Sequence, residues 1–366
     1  MLVPLLDLKR EYAAIKSEID AAVATVMAET KYINGPQVKQ FEDAVARYLG
    51  VKHAIGVASG TDALLIALRA AGVGPGTEVI TTSFSFFATA GTIANLGATP
   101  VFVDIEADTF NITAAKIEQR ITPKTRAIVP VHLFGQSADL DPIMALAKKR
   151  KIAVVEDAAQ SLSSKYKNQM SGTIGDLGIY SFYPTKNLGC PGDGGLITTN
   201  SDELDEKVRM LKAHGAKRKY FHDLVGYNSR LDTLHAAVLL AKLPHLDAWS
   251  AKRRENAAYY NQRFATAKLT RPTEKPYAYH IYNQYSICLD NRDGLIERFK
   301  KEGIGFEIYY PLPLHVQECF RRLGYKEGDL PVSEKCAKSV ISLPIYPMLS
   351  EQEREFVADT VLQYVS

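Results

Sequence analysis

Lys186 lies in an unusual setting for a charged side chain, the stretch 181–189 with the sequence SFYPTKNLG. Lysines normally lie on solvated surfaces, and an exposed turn lysine is the alternative interpretation here. An amine held among aromatic side chains is instead partly desolvated, which lowers its pKa from the usual value of about 10.4. Such a lysine can attack a carbonyl group and form a covalent bond with its carbon.

Two acidic residues, Glu156 and Asp157, lie at the end of a strand-like run in VVEDAAQS, residues 154–161. Because successive strand residues point to opposite faces, one carboxylate can face a site at the strand end while the other contacts the back of the fold. The alternative is that Asp157 caps a helix.

A third feature is SGTDALLIAL, residues 59–68, in which Ser59, Gly60 and Thr61 precede a helix with apolar periodicity. Free N–H groups and the helix dipole favour an anion at such a position, although a plain serine cap would look the same. With Lys186 and Asp157, this anion cradle meets the needs of pyridoxal phosphate, which requires an amine for its aldehyde, a carboxylate for its ring nitrogen and a phosphate site. The aromatic stretch 84–90, FSFFATA, supplies a flat surface for the ring.

A parallel sheet can bring these features together, since ligands of open α/β sheets collect at the carboxyl ends of the strands. Continuous runs rich in valine and isoleucine alternate with helical stretches; the runs are 79–83, 99–105, 127–135 and 152–160. This pattern indicates parallel strands buried on both faces and joined by helices. We predict a three-layer α/β/α large domain with a mainly parallel sheet over residues 1–240.

The remaining part of the chain has a different pattern. The length of 366 residues exceeds the usual size of one hydrophobic core. Short strand-like runs at 282–289 and 306–312 mix with helical stretches at 295–303 and 351–365. We predict a smaller α+β domain over residues 241–366.

The composition argues against several classes of function. The chain has 44 Lys and Arg against 41 Asp and Glu, and a net charge of +3 does not indicate nucleic acid or an anionic membrane as a partner. We find no apolar run of about 18 residues and no signal-peptide core, and the 4 Cys and 8 His show no metal-ligand spacing. The glycine cluster 72–76 lacks the strand–GxGxxG–helix unit of a dehydrogenase. We expect a cytoplasmic protein without a metal site.

In this order, SGTDAL, FSFFAT, VEDAAQS, SFYPTKNLG, GDGG and GYNSRLD resemble the motifs of the DegT-type nucleotide-sugar aminotransferases. The resemblance covers nearly the whole chain, and EDAAQS followed by SFYPTKNLG and GDGG is its most specific part. It implies the pyridoxal phosphate-dependent transferase fold of type I, which is the aspartate aminotransferase fold.

The resemblance implies that Lys186 carries the cofactor and that Asp157 forms a salt bridge with the pyridine nitrogen. The other implied cofactor contacts are Gln160 at the phenolic oxygen, Phe86 on the ring, and Gly60, Thr61, Ser181 and the neighbouring subunit's Asn228 at the phosphate. Because the family's sites lie between two subunits, we expect a homodimer with shared active sites. Lys217, Arg218 or Lys219 could pair with the nucleotide diphosphate, although a solvated loop is the simpler interpretation of this charge run.

The implied reaction moves an amino group, with glutamate as the expected donor, onto a nucleotide-linked keto sugar. The segment 308–317, IYYPLPLHVQ, resembles the HYPxPxHxQ pattern of the 3-amino branch, except that Tyr309 stands where a histidine is common. The candidate substrate contacts are Arg230, Tyr309 and His315. The first-choice substrate is UDP-linked 3-keto N-acetylglucosamine or its uronic acid, for glycan and lipopolysaccharide amino-sugar biosynthesis.

Several alternatives remain at this point. The substrate could be a dTDP-linked 3-keto-6-deoxyhexose or a 4-keto sugar. Relatives that dehydrate the sugar carry histidine in place of the lysine, so the presence of Lys186 disfavours that reaction. A protein of another class, a nucleotide-sugar-sensing regulator without turnover, is disfavoured by Lys186, Asp157 and Gln160.

Overall fold

The computed structural model describes residues 1–365, and its regular elements are named here in chain order. The helices are α1 (Leu8–Ala14), α2 (Lys16–Glu29), α3 (Pro36–Leu49), α4 (Gly60–Ala70), α5 (Ala88–Asn95), α6 (Ala114–Glu118), α7 (Leu140–Arg150), α8 (Asp202–Lys212), α9 (Thr233–Lys242), α10 (Leu246–Arg263), α11 (Arg292–Glu302), α12 (Pro331–Ser339) and α13 (Glu351–Val365). The strands are β1 (His53–Val57), β2 (Glu78–Thr82), β3 (Thr99–Val103), β4 (Thr125–Val129), β5 (Ala153–Asp157), β6 (Lys165–Tyr166), β7 (Gln169–Met170), β8 (Leu177–Ser181), β9 (Gly195–Thr199), β10 (Ala216–Arg218), β11 (Phe221–His222), β12 (Ala278–Tyr279), β13 (Tyr285–Cys288) and β14 (Val340–Leu343).

Seven strands form the central sheet, in the order β1-β9-β8-β5-β4-β2-β3. The pairs from β8 through β5, β4 and β2 to β3 are parallel, whereas β9 pairs antiparallel with both β8 and β1. The prediction of a mainly parallel sheet is confirmed. The four valine-rich and isoleucine-rich runs contain β2, β3, β4 and β5, and the carboxyl ends of these strands lie at one edge.

Helices cover both faces of the sheet, which confirms the three-layer architecture. Strand residues alternate between two sets of core contacts: in β5, Val155 packs in the cluster with α4, α5 and α8, whereas Val154 packs in the cluster with α7 and α12. A further cluster joins α3 and α9 to β8 and β9. Burial on both faces explains why the strand sequences are continuously apolar.

The C-terminal part has a core of its own, in which β13 and β14 pack with α10, α11 and α13. Val3 from the start of the chain belongs to the same core. The predicted strand at 306–312 does not form; Glu307 makes one bridge to Ser342, and prolines follow at 311 and 313, which cannot donate to a ladder. The division at residues 240 and 241 stays a prediction. Within residues 1–365 no helix combines the length and apolar character needed to cross a bilayer.

Candidate active site

Three segments meet at the carboxyl edge of the sheet. Asp157 ends β5, Ser181 ends the neighbouring parallel strand β8, and Gly60 begins α4. A Cβ atom at Gly60 would lie 2.7 Å from the Cβ of Ser181. Glycine at this position therefore lets the start of α4 approach the end of β8 closely.

The start of α4 is both a serine cap and an open anion cradle. The Oγ of Ser59 accepts a hydrogen bond from the Asp62 N–H at 3.1 Å. The N–H groups of Gly60 and Thr61 belong to the first helical turn, so they have no acceptor inside the helix. With Ser181 beside them, these donors form a site suited to a phosphate.

The two acidic residues of β5 point to opposite faces, as alternation predicts. Asp157 is 4% exposed and accepts hydrogen bonds from Thr89 Oγ1 at 2.8 Å and from the Ala159 N–H at 3.2 Å. Burial raises the pKa of Asp157, while these donors and the positive charge of Lys186 act in the opposite direction. Asp157 is thus a buried carboxylate beside an amine.

Glu156 has a different environment behind the sheet edge. It is fully buried and accepts hydrogen bonds from His132 Nε2 at 2.8 Å and from the N–H groups of Gly172, Ile174 and Gly175 at 2.7, 2.6 and 2.6 Å. Burial opposes the charge, but the bonds from His132 and the backbone lower the pKa of Glu156 overall. Four donors on one carboxylate indicate a role in holding the fold.

Lys186 lies in the loop between β8 and β9. Its N–H donates to the Tyr183 carbonyl at 2.9 Å, which forms the turn expected after Pro184. Burial of the amine lowers the pKa of Lys186 to about 8, and the nearby charge of Asp157 opposes this shift. A pKa close to neutral pH suits an amine that must accept and release protons.

Gln160 and Phe86 lie beside a residue that sequence reasoning did not assign, Tyr310. Gln160 accepts from the Phe134 N–H at 2.8 Å and donates from Nε2 to the Tyr310 hydroxyl at 3.0 Å, and its amide nitrogen carries a second N–H. Phe86 is 58% exposed, and its ring centroid lies 6.4 Å from that of Tyr310. An open aromatic face and a free amide donor are therefore available here.

Thr89 is the second unassigned residue, because its hydrogen bond to Asp157 is not visible in the sequence. Both missed residues nevertheless lie within stretches that had been singled out, Thr89 in 84–90 and Tyr310 in 308–317. The available signal was a hydroxyl-bearing side chain within a motif.

The remaining predicted contacts are placed differently from one another. Asn228 is exposed, and Arg230 is half-buried and forms no ion pair among residues 1–365. Tyr309 is half-buried, and its pKa is raised by burial and by neighbours that include Tyr183 of the Lys186 loop. His315 is fully buried, with Nε2 3.1 Å from a carboxylate oxygen of Glu334, so it does not present its side chain to a solvent-filled site.

These residues fit pyridoxal phosphate. Lys186, Asp157 and the α4 cradle supply the amine, the carboxylate and the phosphate site that the cofactor requires. The amide nitrogen and oxygen of Asn187, the residue after Lys186, are buried and have no hydrogen-bond partner among the described residues. Among residues 1–365 no group of three or more histidine, cysteine or acidic residues is arranged to hold a metal ion.

Known proteins with similar sequences cover the chain from end to end. The family model for the DegT/DnrJ/EryC1/StrS aminotransferase family matches residues 13–362. A protein of Geobacillus stearothermophilus named pleiotropic regulatory protein is 50% identical, over 100% of this chain and 99% of its own. The UDP-N-acetyl-3-dehydro-alpha-D-glucosamine 3-aminotransferase of Acidithiobacillus ferrooxidans is 42% identical, over 98% of this chain and 97% of its own. The UDP-2-acetamido-2-deoxy-3-oxo-D-glucuronate aminotransferase of Pseudomonas aeruginosa is 44% identical, over 95% of this chain and 96% of its own.

Solved structures show the same fold. DesV of S. venezuelae, in complex with a ketimine intermediate, has a TM-score of 0.98 at 40% identity, over 100% of this chain and 99% of that one. NtdA of Bacillus subtilis, with the bound cofactor PMP, has a TM-score of 0.93 at 30% identity, over 100% and 85%. The chain is a pyridoxal phosphate-dependent aminotransferase and belongs to the DegT/DnrJ/EryC1/StrS family.

Proposed function

We propose that this enzyme transfers the amino group of glutamate to the 3-keto group of a nucleotide-linked N-acetyl sugar, UDP-linked 3-keto-N-acetylglucosamine or its uronic acid. The observation that carries the transfer reaction is the Lys186 amine beside the buried Asp157 carboxylate at the sheet edge. The two relatives named for 3-keto UDP sugars, at 42% and 44% identity, support the position and the sugar.

When bound, pyridoxal phosphate withdraws electrons from the carbon atom that carries the transferred amine. Asp157 keeps a proton on the ring nitrogen, which strengthens this withdrawal. Nζ of Lys186 would be the general base that takes the proton from the α-carbon of the amino donor. The same amine would return a proton to the sugar carbon that receives the amino group, and a pKa near neutrality suits both directions.

In this proposal, other side chains bind and orient the cofactor and the nucleotide sugar. Gln160 would hold the phenolic oxygen with its free N–H, and Phe86 would cover the ring. Gly60, Thr61 and Ser181 would hold the phosphate. Arg230, a half-buried cation without an ion pair among residues 1–365, suits a sugar-linked phosphate or carboxylate because its guanidinium fork binds such groups in a bidentate manner. Tyr309 contacts the sugar from the side of Tyr183.

The surroundings of His315 favour an indirect role in this proposal. Its side chain contacts Glu334 and Tyr325 rather than an open cavity. The backbone N–H of the preceding Leu314 donates to the Ser83 carbonyl at 2.7 Å. A direct sugar contact by His315 stays a prediction, and the geometry favours support of the segment that carries Tyr309 and Tyr310.

We propose a homodimer with shared sites on the basis of the hairpin formed by β10 and β11. Tyr220, Phe221 and Val225 are 78, 57 and 82% exposed, which is unusual for side chains of this size on a free surface. Asn228 follows the hairpin in the chain and is also exposed. It is the proposed contact to the partner's phosphate site. Burial of this hairpin against a second copy would remove the apolar side chains from water.

The same hairpin narrows the choice of a diphosphate contact. Lys217 forms an ion pair with Glu206 of its own chain. Arg218 stacks on Phe221, with the guanidinium carbon 3.7 Å from the ring centroid, and Lys219 lies over Tyr220 at 5.0 Å. Arg218 and Lys219 are therefore the better candidates, since neither cation is neutralised by an acid among the described residues.

The name of the Geobacillus stearothermophilus relative is an observation in favour of the regulator alternative. A sensor without turnover has no need for a desolvated amine whose pKa is lowered to about 8. A buried carboxylate next to that amine is equally unnecessary in a sensor. The site therefore favours catalysis.

The reverse reaction tests the substrate. The enzyme is incubated with 2-oxoglutarate and a panel of UDP-linked and dTDP-linked 3-amino and 4-amino sugars, and glutamate formation is measured. We expect the fastest deamination with UDP-linked 3-amino N-acetyl sugars. Preferential deamination of a 4-amino sugar would contradict the assignment of the 3-position. A preference for dTDP-linked sugars would contradict the assignment of UDP as the nucleotide.

A further inference from the structure

Backbone hydrogen bonds close the neck of the loop that carries Lys186. The Phe182 N–H donates to the Gly194 carbonyl at 2.8 Å, and the Cys190 N–H donates to the Phe182 carbonyl at 2.8 Å. The loop is therefore a closed unit between β8 and β9. The position of the Lys186 amine depends on how this unit is held against the rest of the protein.

A cavity of about 610 Å³ lies behind the loop. Pro184, Gly189 and Cys190 line it from the loop side, and residues of α1, α2 and α9 line it from the other side. The cavity is open to solvent on one side, and exposed residues such as Leu8 and Tyr12 are part of its lining. Side-chain packing therefore leaves this side of the loop poorly supported, and polar contacts gain importance there.

Lys242, the last residue of α9, reaches the loop at this point. Its Nζ donates to the Gly189 carbonyl at 2.6 Å, and the residue is only 6% exposed. Glu11 of α1, 7% exposed, forms an ion pair with the same amine, and the Trp249 ring centroid lies 5.7 Å from it. The buried ammonium group is thus held between α1 and α10 and has a directional bond to the loop.

We infer that Lys242 and Glu11 are positioning residues that hold the Lys186 loop at the catalytic edge. Gly189 lies three residues after Lys186, and a Cβ there would lie 2.5 Å from the Pro184 carbonyl oxygen. Fixing Gly189 therefore fixes both limbs of the turn that presents the amine. This inference rests on the proposed attachment of the cofactor at Lys186.

The substitution Lys242→Met tests the inference, because methionine has similar length without charge or donors. A catalytic group displaced by about 1 Å can lose about 100-fold in rate, so we expect kcat to fall about 10-fold to 100-fold. We expect KM for the nucleotide sugar to change less than about twofold. The proposed sugar contacts do not lie on the side of the Lys186 loop that faces Lys242, so sugar binding should not depend on this bond. Without substrate, the pH midpoint of the visible absorption of the bound cofactor should shift by about half a unit or more.

Two further variants separate positioning from stability. Lys242→Arg keeps the cation and its donors, the adjacent cavity has room for the longer side chain, and we expect it to restore the absorption midpoint and most of kcat. Lys39→Met removes an exposed lysine that pairs with Asp43 on α3, and we expect no change in kcat or midpoint. If Lys242→Met does not fold, Glu11→Gln gives the same test, with effects of the same kind but smaller.

A lower melting temperature with unchanged kcat and an unchanged absorption midpoint would overturn the inference, since the pair would then only stabilise the fold. Borohydride reduction keeps this outcome separate from a failure of the proposed function. Reduction that attaches the wild-type cofactor to another lysine contradicts the role of Lys186. Attachment at Lys186 in the wild type, together with unaltered behaviour of Lys242→Met and Glu11→Gln, contradicts the positioning role alone.

Discussion

Glu156 and Asp157 are consecutive carboxylates at the end of one strand, and they have opposite environments. Glu156 accepts four hydrogen bonds from His132 and the 172–175 backbone, and its pKa is lowered. Asp157 accepts two, from Thr89 and Ala159, and its pKa is raised by burial. The number of donors, rather than burial, distinguishes the two, because both side chains are almost inaccessible to water.

The difference supports the proposal that Glu156 serves the fold and Asp157 serves the chemistry. A buried charge whose lone pairs are all satisfied is stable and has nothing left to offer a ligand. A buried carboxylate with spare lone pairs and an amine beside it is costly to the fold and marks a functional site. The predictions below follow from this division.

Removal of the amine should have the largest effect. We expect Lys186→Ala to lower turnover by at least about 10⁴-fold, since general acid–base catalysis alone contributes up to that amount and the covalent attachment is lost as well. The variant should remain folded and still bind the cofactor without a covalent link. Steady-state kinetics measures the turnover, and gel filtration measures whether the variant stays folded with its cofactor. The exposed Lys167→Ala is the control. Activity within tenfold of wild type would contradict the assignment of Lys186.

Asp157→Asn should affect the reaction far more than the fold. The amide cannot keep the ring nitrogen protonated, so we expect kcat to fall by at least about 100-fold. The melting temperature should change by less than about 1.5 °C, which corresponds to roughly 1 kcal/mol for a chain of this length, because Asn still accepts from Thr89 and removes a buried charge. If catalysis is nearly unchanged while the melting temperature falls, Asp157 belongs to the fold.

Glu156→Gln should show the reverse behaviour. Breaking a buried, paired charge costs about 3–5 kcal/mol, so we expect a clearly lower melting temperature at pH 7. The folded pKa of Glu156 is lowered, so its stabilisation is fully present above the unfolded value of about 4.3 and is lost as pH falls through the folded pKa. The melting-temperature difference from wild type should therefore shrink below about pH 4, and a difference that grows in acid would contradict the ionised state.

Subunit complementation should give the smallest signal. If Asn228 completes the partner's site, an equal mixture of inactive Lys186→Ala and Asn228→Ala chains forms heterodimers with one intact site each. Random exchange makes half of the dimers heterodimers, so about a quarter of wild-type activity should return. Mass spectrometry of the intact dimers verifies exchange, and no recovery after verified exchange would contradict shared sites.

The fold was predictable because its signals are local and repeated. The valine-rich runs that contain β2, β3, β4 and β5 have the burial pattern of parallel strands, and alternation along β5 placed Glu156 and Asp157 on opposite faces. The strand predicted at 306–312 did not form, because the prolines at 311 and 313 have no N–H group to donate to a ladder. The alternation pattern on which the prediction rested takes no account of this loss. Residues 1–51 were assigned to the large domain without individual elements, and they form α1, α2 and α3.

The site was only partly predictable, because several of its contacts join distant parts of the chain. Motif position pointed to Lys186, Asp157 and the α4 cradle. No periodicity could show that Tyr310 accepts from Gln160 or that Thr89 donates to Asp157. The burial of His315 against Glu334 depends on α12, which lies outside the motif that suggested a sugar contact. Long-range pairing of this kind becomes visible only in the folded chain.

The most direct test of the central claim is to identify the lysine that holds the cofactor. The wild-type enzyme is reduced with borohydride, digested and mapped by mass spectrometry. We predict that the label lies on Lys186. Two further lysines with little exposure serve as internal controls: Lys212, whose side chain is 12% exposed beside Glu42, and the buried Lys242 beside Glu11. A label on either of these, or on any lysine other than Lys186, would contradict the account.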